Sequence, residues 1–186
     1  MNIAFIGNCQ MASLCFYFQQ LLLDCNVKFA VYGDEFLPHL GDWSNKVVNK
    51  IINYDESIEW IKTCDIVIYQ EISKDKSVFS NTEALIAIKK ESCKLIKLPS
   101  IHLDYDNYDI SINELKRREN ENKVDIIVSD IFEKYREARL VRVIVHPNTF
   151  MFLEIVNKIC KLLNIDTFSE LKRGIFLSDD NYMNLP

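Results

Sequence analysis

Asp65-Ile66-Val67-Ile68-Tyr69-Gln70 is an unbroken run of β-branched and aromatic residues between two polar ends. A strand with water on one face alternates apolar and polar residues, whereas a strand covered on both faces does not need to. The run therefore reads as an inner strand of a parallel sheet. Upstream, Ser57 to Cys64 reads as a short helix with Ile58 and Ile61 inward. Downstream, Asn81 is a plausible N-cap for a helix over Thr82 to Ser92. Lys94 to Leu98 then reads as a further strand, stopped by Pro99.

Farther out the alternation repeats. Asn2 to Ile6 is a short apolar run ended by Gly7 and reads as a strand. Gln10 to Leu23 carries Met11, Leu14, Cys15, Phe18, Leu21 and Leu22 on one helical face. Val27 to Val31 reads as a strand, and Glu35 to Trp43, with Pro38 and Gly41, as a loop. Lys46 to Ile52 suits either a helix or a strand. Ser111 to Asn120 reads as a polar helix and Asp125 to Arg139 as a longer one, although Asp125 to Val128 alone would pass for a strand. Leu140 to Val145 reads as the fifth strand. His146-Pro147-Asn148 breaks it before an amphipathic helix over Thr149 to Leu163, and the last ~20 residues read as irregular. Strands alternating with helices predict an α/β fold, an open, mostly parallel sheet of about five strands with helices on both faces.

The chain has 186 residues, 48% of them apolar, which predicts a single domain over 1–186 with one sizeable core. The net charge is -5 and the basic residues are spread along the chain, which speaks against a nucleic-acid partner. Six cysteines include no C-x-x-C pair, and the chain enters a strand pattern at Asn2, so reduced thiols in a cytoplasmic protein are expected. No apolar run approaches the ~20 residues of a membrane helix, so no membrane insertion is expected. Three scattered histidines predict no metal site. There is no G-x-G-x-x-G and no P-loop.

Ligands of such sheets bind at the carboxyl ends of the strands. The polar residues expected there are Asn8-Cys9-Gln10, Gln70-Glu71, Ser100 to Tyr105, and His146-Pro147-Asn148. Cys9 falls where strand one turns into helix one. Backbone amides and the positive end of the helix dipole lower a thiol's pKa, and the thiolate is the nucleophile. The alternative is that Cys9 is one more buried cysteine among six. His146 is the candidate base, because a Cys-His pair activates a nucleophile; the alternative is a histidine at a helix start with no catalytic duty. Glu71, Asp104 or Asp106 would orient the imidazole. Gln70, Asn8 and Gln10 are neutral donors for an oxyanion. Asn148 and Arg142 complete the expected cofactor contacts, and His102 and Tyr105, in an aromatic and acidic loop, the substrate contacts.

Ile6-Gly-Asn-Cys-Gln10, Asp65 to Gln70, Leu98-Pro-Ser100, Leu115-Lys-Arg-Arg-Glu119, Val128-Ser-Asp-Ile131, Arg139-Leu140 and His146-Pro147 form a series. In that order and spacing the chain resembles the WcbI-like family of polysaccharide-biosynthesis acetyltransferases, over residues 2 to about 165. The resemblance implies acetyl transfer from coenzyme A to a sugar hydroxyl in capsule or surface-polysaccharide synthesis. It carries the family's cysteine and histidine onto Cys9 and His146. The layout is also distantly similar to the SGNH hydrolases, which implies an SGNH/flavodoxin-like three-layer arrangement. Here Cys9 stands in place of that family's serine, and Val143 in place of its aspartate. A hydrolase with water as acceptor, and a sugar- or nucleotide-binding module, are the competing readings.

Overall fold

Each short apolar run ends at a residue that stops a strand or starts a helix, and the chain folds accordingly. The computed structural model describes residues 1–30, 49–51, 53–71, 81–138, 140–143 and 146–165, with the backbone alone at 142, 143 and 146. Strands β1 (Asn2–Ile6), β2 (Asn26–Ala30), β3 (Lys50–Ile51), β4 (Ile66–Gln70) and β5 (Lys94–Leu98) form one sheet in the order β3-β2-β1-β4-β5. Every pairing is parallel. All five residues of β4 are buried, as the unbroken run from Ile66 requires. The undecided stretch ending at Ile52 supplies β3; its part before residue 49 lies outside the described residues, as do the loop expected over 35–43 and the irregular stretch expected after 165.

Side chains alternate across the sheet. Ala4, Ile6, Ala30, Val67 and Tyr69 share a buried cluster with Ile61 of α2 (Tyr54–Thr63) and Leu85 of α3 (Thr82–Ile88). Phe5, of the opposite set, meets Phe18 of α1 (Cys9–Leu21), with ring centroids 5.0 Å apart. Helices therefore cover both faces, as right-handed crossovers in this strand order dictate. The expected three-layer α/β arrangement holds. Its strand order is 3-2-1-4-5, where flavodoxin-like sheets run 2-1-3-4-5.

The chain divides into two compact units, residues 1–100 with 123–125, and residues 101–122 with 126–186. The returning piece of the first unit closes against β5: Lys97 N donates to Asp125 Oδ2 at 2.7 Å, and Asp125 N donates to Lys97 O at 2.9 Å. The second unit holds α4 (Tyr108–Asn122), α5 (Ser129–Lys134), β6 (Val141–Val143), β7 (His146–Pro147) and α6 (Thr149–Leu162). Leu115, Phe132, Leu140, Val141, Met151, Ile155 and Ile159 are buried within it. Among the described residues no helix is long and apolar enough to cross a membrane.

Two expectations are corrected. Leu140 to Val145 is not a strand of the parallel sheet: residues 141–143 pair antiparallel with His146–Pro147 in a separate two-stranded ladder. A β-rich run announces a strand but not the partner it joins, and the fifth place in the sheet belongs to Lys50–Ile51. The longer helix expected over Asp125 to Arg139 is confined to Ser129–Lys134. Asp125 is held by its two hydrogen bonds to the Lys97 backbone. Glu119 Oε1 accepts from Val128 N at 2.7 Å and Ser129 N at 3.0 Å, which starts α5 at that point.

Candidate active site

The strand order places the reversal of winding between β1 and β4, where ligands of open α/β sheets bind. The residues leaving those strands are Gly7-Asn8-Cys9-Gln10 and Gln70-Glu71. Gly7 is required at its position: its φ is +153°, and a Cβ there would lie 2.4 Å from Met11 Cγ. The chain can thus pass directly into α1. Asn8 is the N-cap, with Oδ1 accepting from Gln10 N at 2.9 Å and its carbonyl from Met11 N at 3.0 Å.

Cys9 opens α1 and is partly exposed, whereas Cys15, Cys64, Cys93 and Cys160 are buried. The N–H groups of Cys9 and Gln10 do pull its pKa down. Burial outweighs them, so the thiol sits above its ordinary value. The lowered thiol pKa expected from the helix start is not found: the helix start helps the anion, but desolvation costs more.

Gln70 is 1% exposed, and its amide nitrogen spends both hydrogens, on Gln10 Oε1 at 3.0 Å and Pro99 O at 2.9 Å. It has no hydrogen left for an oxyanion, which corrects that expected role. Its Oε1 is buried without a hydrogen-bond partner, and lies 3.2 Å from where a Cβ on Gly7 would stand. Gln10 is 2% exposed and bound to Gln70, so its side chain serves the fold. Asn8 Nδ2 reaches Ser100 Oγ at 3.5 Å.

Glu71 turns to the other face of the sheet. Its Oε1 meets Lys97 Nζ at 2.7 Å and accepts from Thr82 Oγ1 at 2.9 Å. That hydroxyl spends its one hydrogen on Glu71, so Tyr69 OH must donate to it across 2.7 Å. Partial burial works against the carboxylate, yet Lys97 and Thr82 hold its pKa below the usual range. Glu71 is therefore an ionised member of a polar chain on the α2–α3 face, opposite α1, and not the orienting acid beside Cys9. Lys97, buried within a strand, was not legible as part of this group: nothing local in Lys94-Leu-Ile-Lys-Leu98 marks which lysine is covered.

In the second unit, His146 lies in β7, paired with Val143, and Arg142 lies in β6; their side chains lie outside the described residues. His146 does not follow a strand of the parallel sheet, so the sheet-edge argument that set it beside Cys9 no longer applies. Asn148 caps α6 by accepting from Met151 N at 2.9 Å. Tyr105 OH accepts from Val141 N at 3.0 Å, tying its loop to β6. His102 is exposed. Asp104 accepts from Asp106 N at 3.0 Å and Asn107 Nδ2 at 3.0 Å, which lower its pKa and make it a turn-former. Asp106 is exposed beside it.

The residues expected to hold coenzyme A are thus engaged elsewhere where their side chains are described: Asn8 and Asn148 cap helices, and Gln10 is locked to Gln70. Among the described residues no group of three His, Cys, Asp or Glu side chains is placed to hold a metal ion. What the first unit brings together is a tethered turn presenting one thiol at the reversal of the sheet. No protein-family model, no curated protein and no solved structure matches the chain.

Proposed function

We propose that the chain is an acyltransferase of the WcbI-like kind, moving an acetyl group from a thioester, coenzyme A being the implied donor, to a sugar hydroxyl at Cys9. The observation that carries this reading is the position of a partly exposed thiol in the first turn of α1, at the reversal between β1 and β4. Cytoplasmic thioester chemistry suits a chain with six reduced thiols.

Burial raises the Cys9 thiol, which favours its protonated form. Attack then needs a base to take that proton as sulfur bonds to the thioester carbon. The family resemblance is what names His146 for that role. The donor's thiolate leaves and is protonated, giving an acyl-enzyme. The acceptor hydroxyl then attacks the acyl carbon, its proton passing to the base and from there to the departing Cys9 sulfur, which restores the thiol. Backbone N–H groups of the turn are the oxyanion donors this reading needs, since Gln70 has no hydrogen to give.

The raised thiol favours one second reading, in which His146 activates the hydroxyl directly and protonated Cys9 only shapes the site. Incubation with acetyl-coenzyme A, followed by intact mass and peptide mapping, separates the two. The covalent route predicts a chain one acetyl group heavier, modified at Cys9, and a loss of several decades of transfer in Cys9→Ala. Retention of more than about a tenth of the wild-type rate by Cys9→Ala eliminates the acyl-enzyme. Thioester cleavage at an equal rate with and without a sugar acceptor replaces transfer by hydrolysis.

A further inference from the structure

The two residues flanking Cys9 are both tied to the same short segment. Asn8 reaches Ser100, and Gln10 reaches Pro99 through Gln70, whose single amide nitrogen donates to both Gln10 Oε1 and Pro99 O. That segment leaves β5 and is the last of the first unit before the chain passes into the second at Ile101. The orientation of the Gln70 amide is unambiguous. Pro99 O can only accept, and turning the amide over would set its oxygen against that carbonyl, so the nitrogen faces Pro99. The consequence is the unpartnered Oε1. A buried acceptor without a donor costs about 1–3 kcal/mol, and an apolar residue at the end of β4 would avoid that cost.

We infer that Gln70 is the positioning residue of the Cys9 turn: its carboxamide fixes the start of α1 against the β5 exit, and so sets the approach to the thiol. Gln70 does not touch the reacting atoms; it acts through Gln10 and Pro99. Shifting Pro99–Ser100 would move both tethers of Cys9 together. The inference rests on Cys9 being the reactive group, but thiol accessibility is measurable without any turnover.

The test is thiol exchange with a pyridyl disulfide, resolved by peptide mapping, with Cys25 beyond the far end of α1 as internal reference. Gln70→Leu is expected to change the Cys9 rate by about tenfold while Cys25 stays within about twofold. Gln10→Ala removes the same bond from the helix side and is expected to act alike, which decides the matter if Gln70→Leu does not fold. Gln70→Glu adds a readout that packing alone would not move. Its acid form can donate one bond and its ionised form none, so its Cys9 rate relative to wild type should diverge as pH rises. In Gln70→Leu that ratio should stay level. Cys9 rates within about twofold of wild type in both Gln70→Leu and Gln10→Ala overturn the inference, as does an equal change at Cys25. A normal clamp with no acyl transfer would sink the enzymatic reading and leave this one standing.

Discussion

At Gly7 one missing methyl group decides whether the site exists. The φ of +153° is poorly open to other residues, and the space a Cβ would take belongs to Met11. Met11 is fully buried and cannot swing away. Gly7→Ala is therefore expected to destabilise the protein by about 3 kcal/mol, from strain and overpacking together, measured by urea unfolding. A change below about 0.5 kcal/mol would show that the turn has other ways to relax. The same residue shows how far sequence carries. Gly7-Asn-Cys-Gln10 was legible as a strand-to-helix turn because glycine, N-cap and helical periodicity are local signals. The balance at Cys9 was not, since burial comes from the fold around it and a sequence shows only the favourable helix start. Gln70 was legible as a polar residue at a strand end but not as a spent donor, because its partners lie 60 and 29 residues away.

At the scale of elements, α1, β1, β4 and β5 lie within a few residues of where periodicity and punctuation put them. The helix expected over Asp125 to Arg139 failed where a distant side chain sets an end. Glu119, 3% exposed, accepts from Val128 N, Ser129 N and Ser129 Oγ, the last at 2.5 Å, so a residue of α4 begins α5. A carboxylate acceptor nine and ten residues away leaves no local pattern to read. Two of the landmarks behind the family resemblance, Leu115 to Glu119 and Val128 to Ile131, meet in this one contact. Glu119→Ala is expected to lose about 3 kcal/mol, because two backbone N–H groups are left buried without partners. Calorimetry would check it, and a melting temperature equal to wild type would mean that water replaces the carboxylate.

For the molecule as a whole, the fold class was legible because the β-rich runs are few and well separated. The membership of the last run was not, since Leu140 to Val145 has strand composition whichever partner it takes. The cysteines add a global property. Burial pushes Cys15 well above the ordinary thiol value, Cys64 up to about 12 and Cys160 up to about 11. In the unfolded chain these thiols ionise near ~8.5, so above that pH the unfolded state holds fewer protons than the native one. Stability is thus intact below ~8.5 and falls as pH rises toward the folded values. Urea midpoints recorded from neutral to alkaline pH should decline through this window. Replacing Cys160 by Ala should make the decline shallower; an unchanged slope would place the alkaline sensitivity on other groups.

Asp125 leaves a last consequence. An open sheet ends in a strand whose outer amides and carbonyls invite another polypeptide to stack on, the usual seed of fibrous association. On β5 one residue of that frontier, Lys97, has its amide and carbonyl both occupied by Asp125. The contact that returns the chain to the first unit also works as a gatekeeper, taking one rung of a templating border out of use.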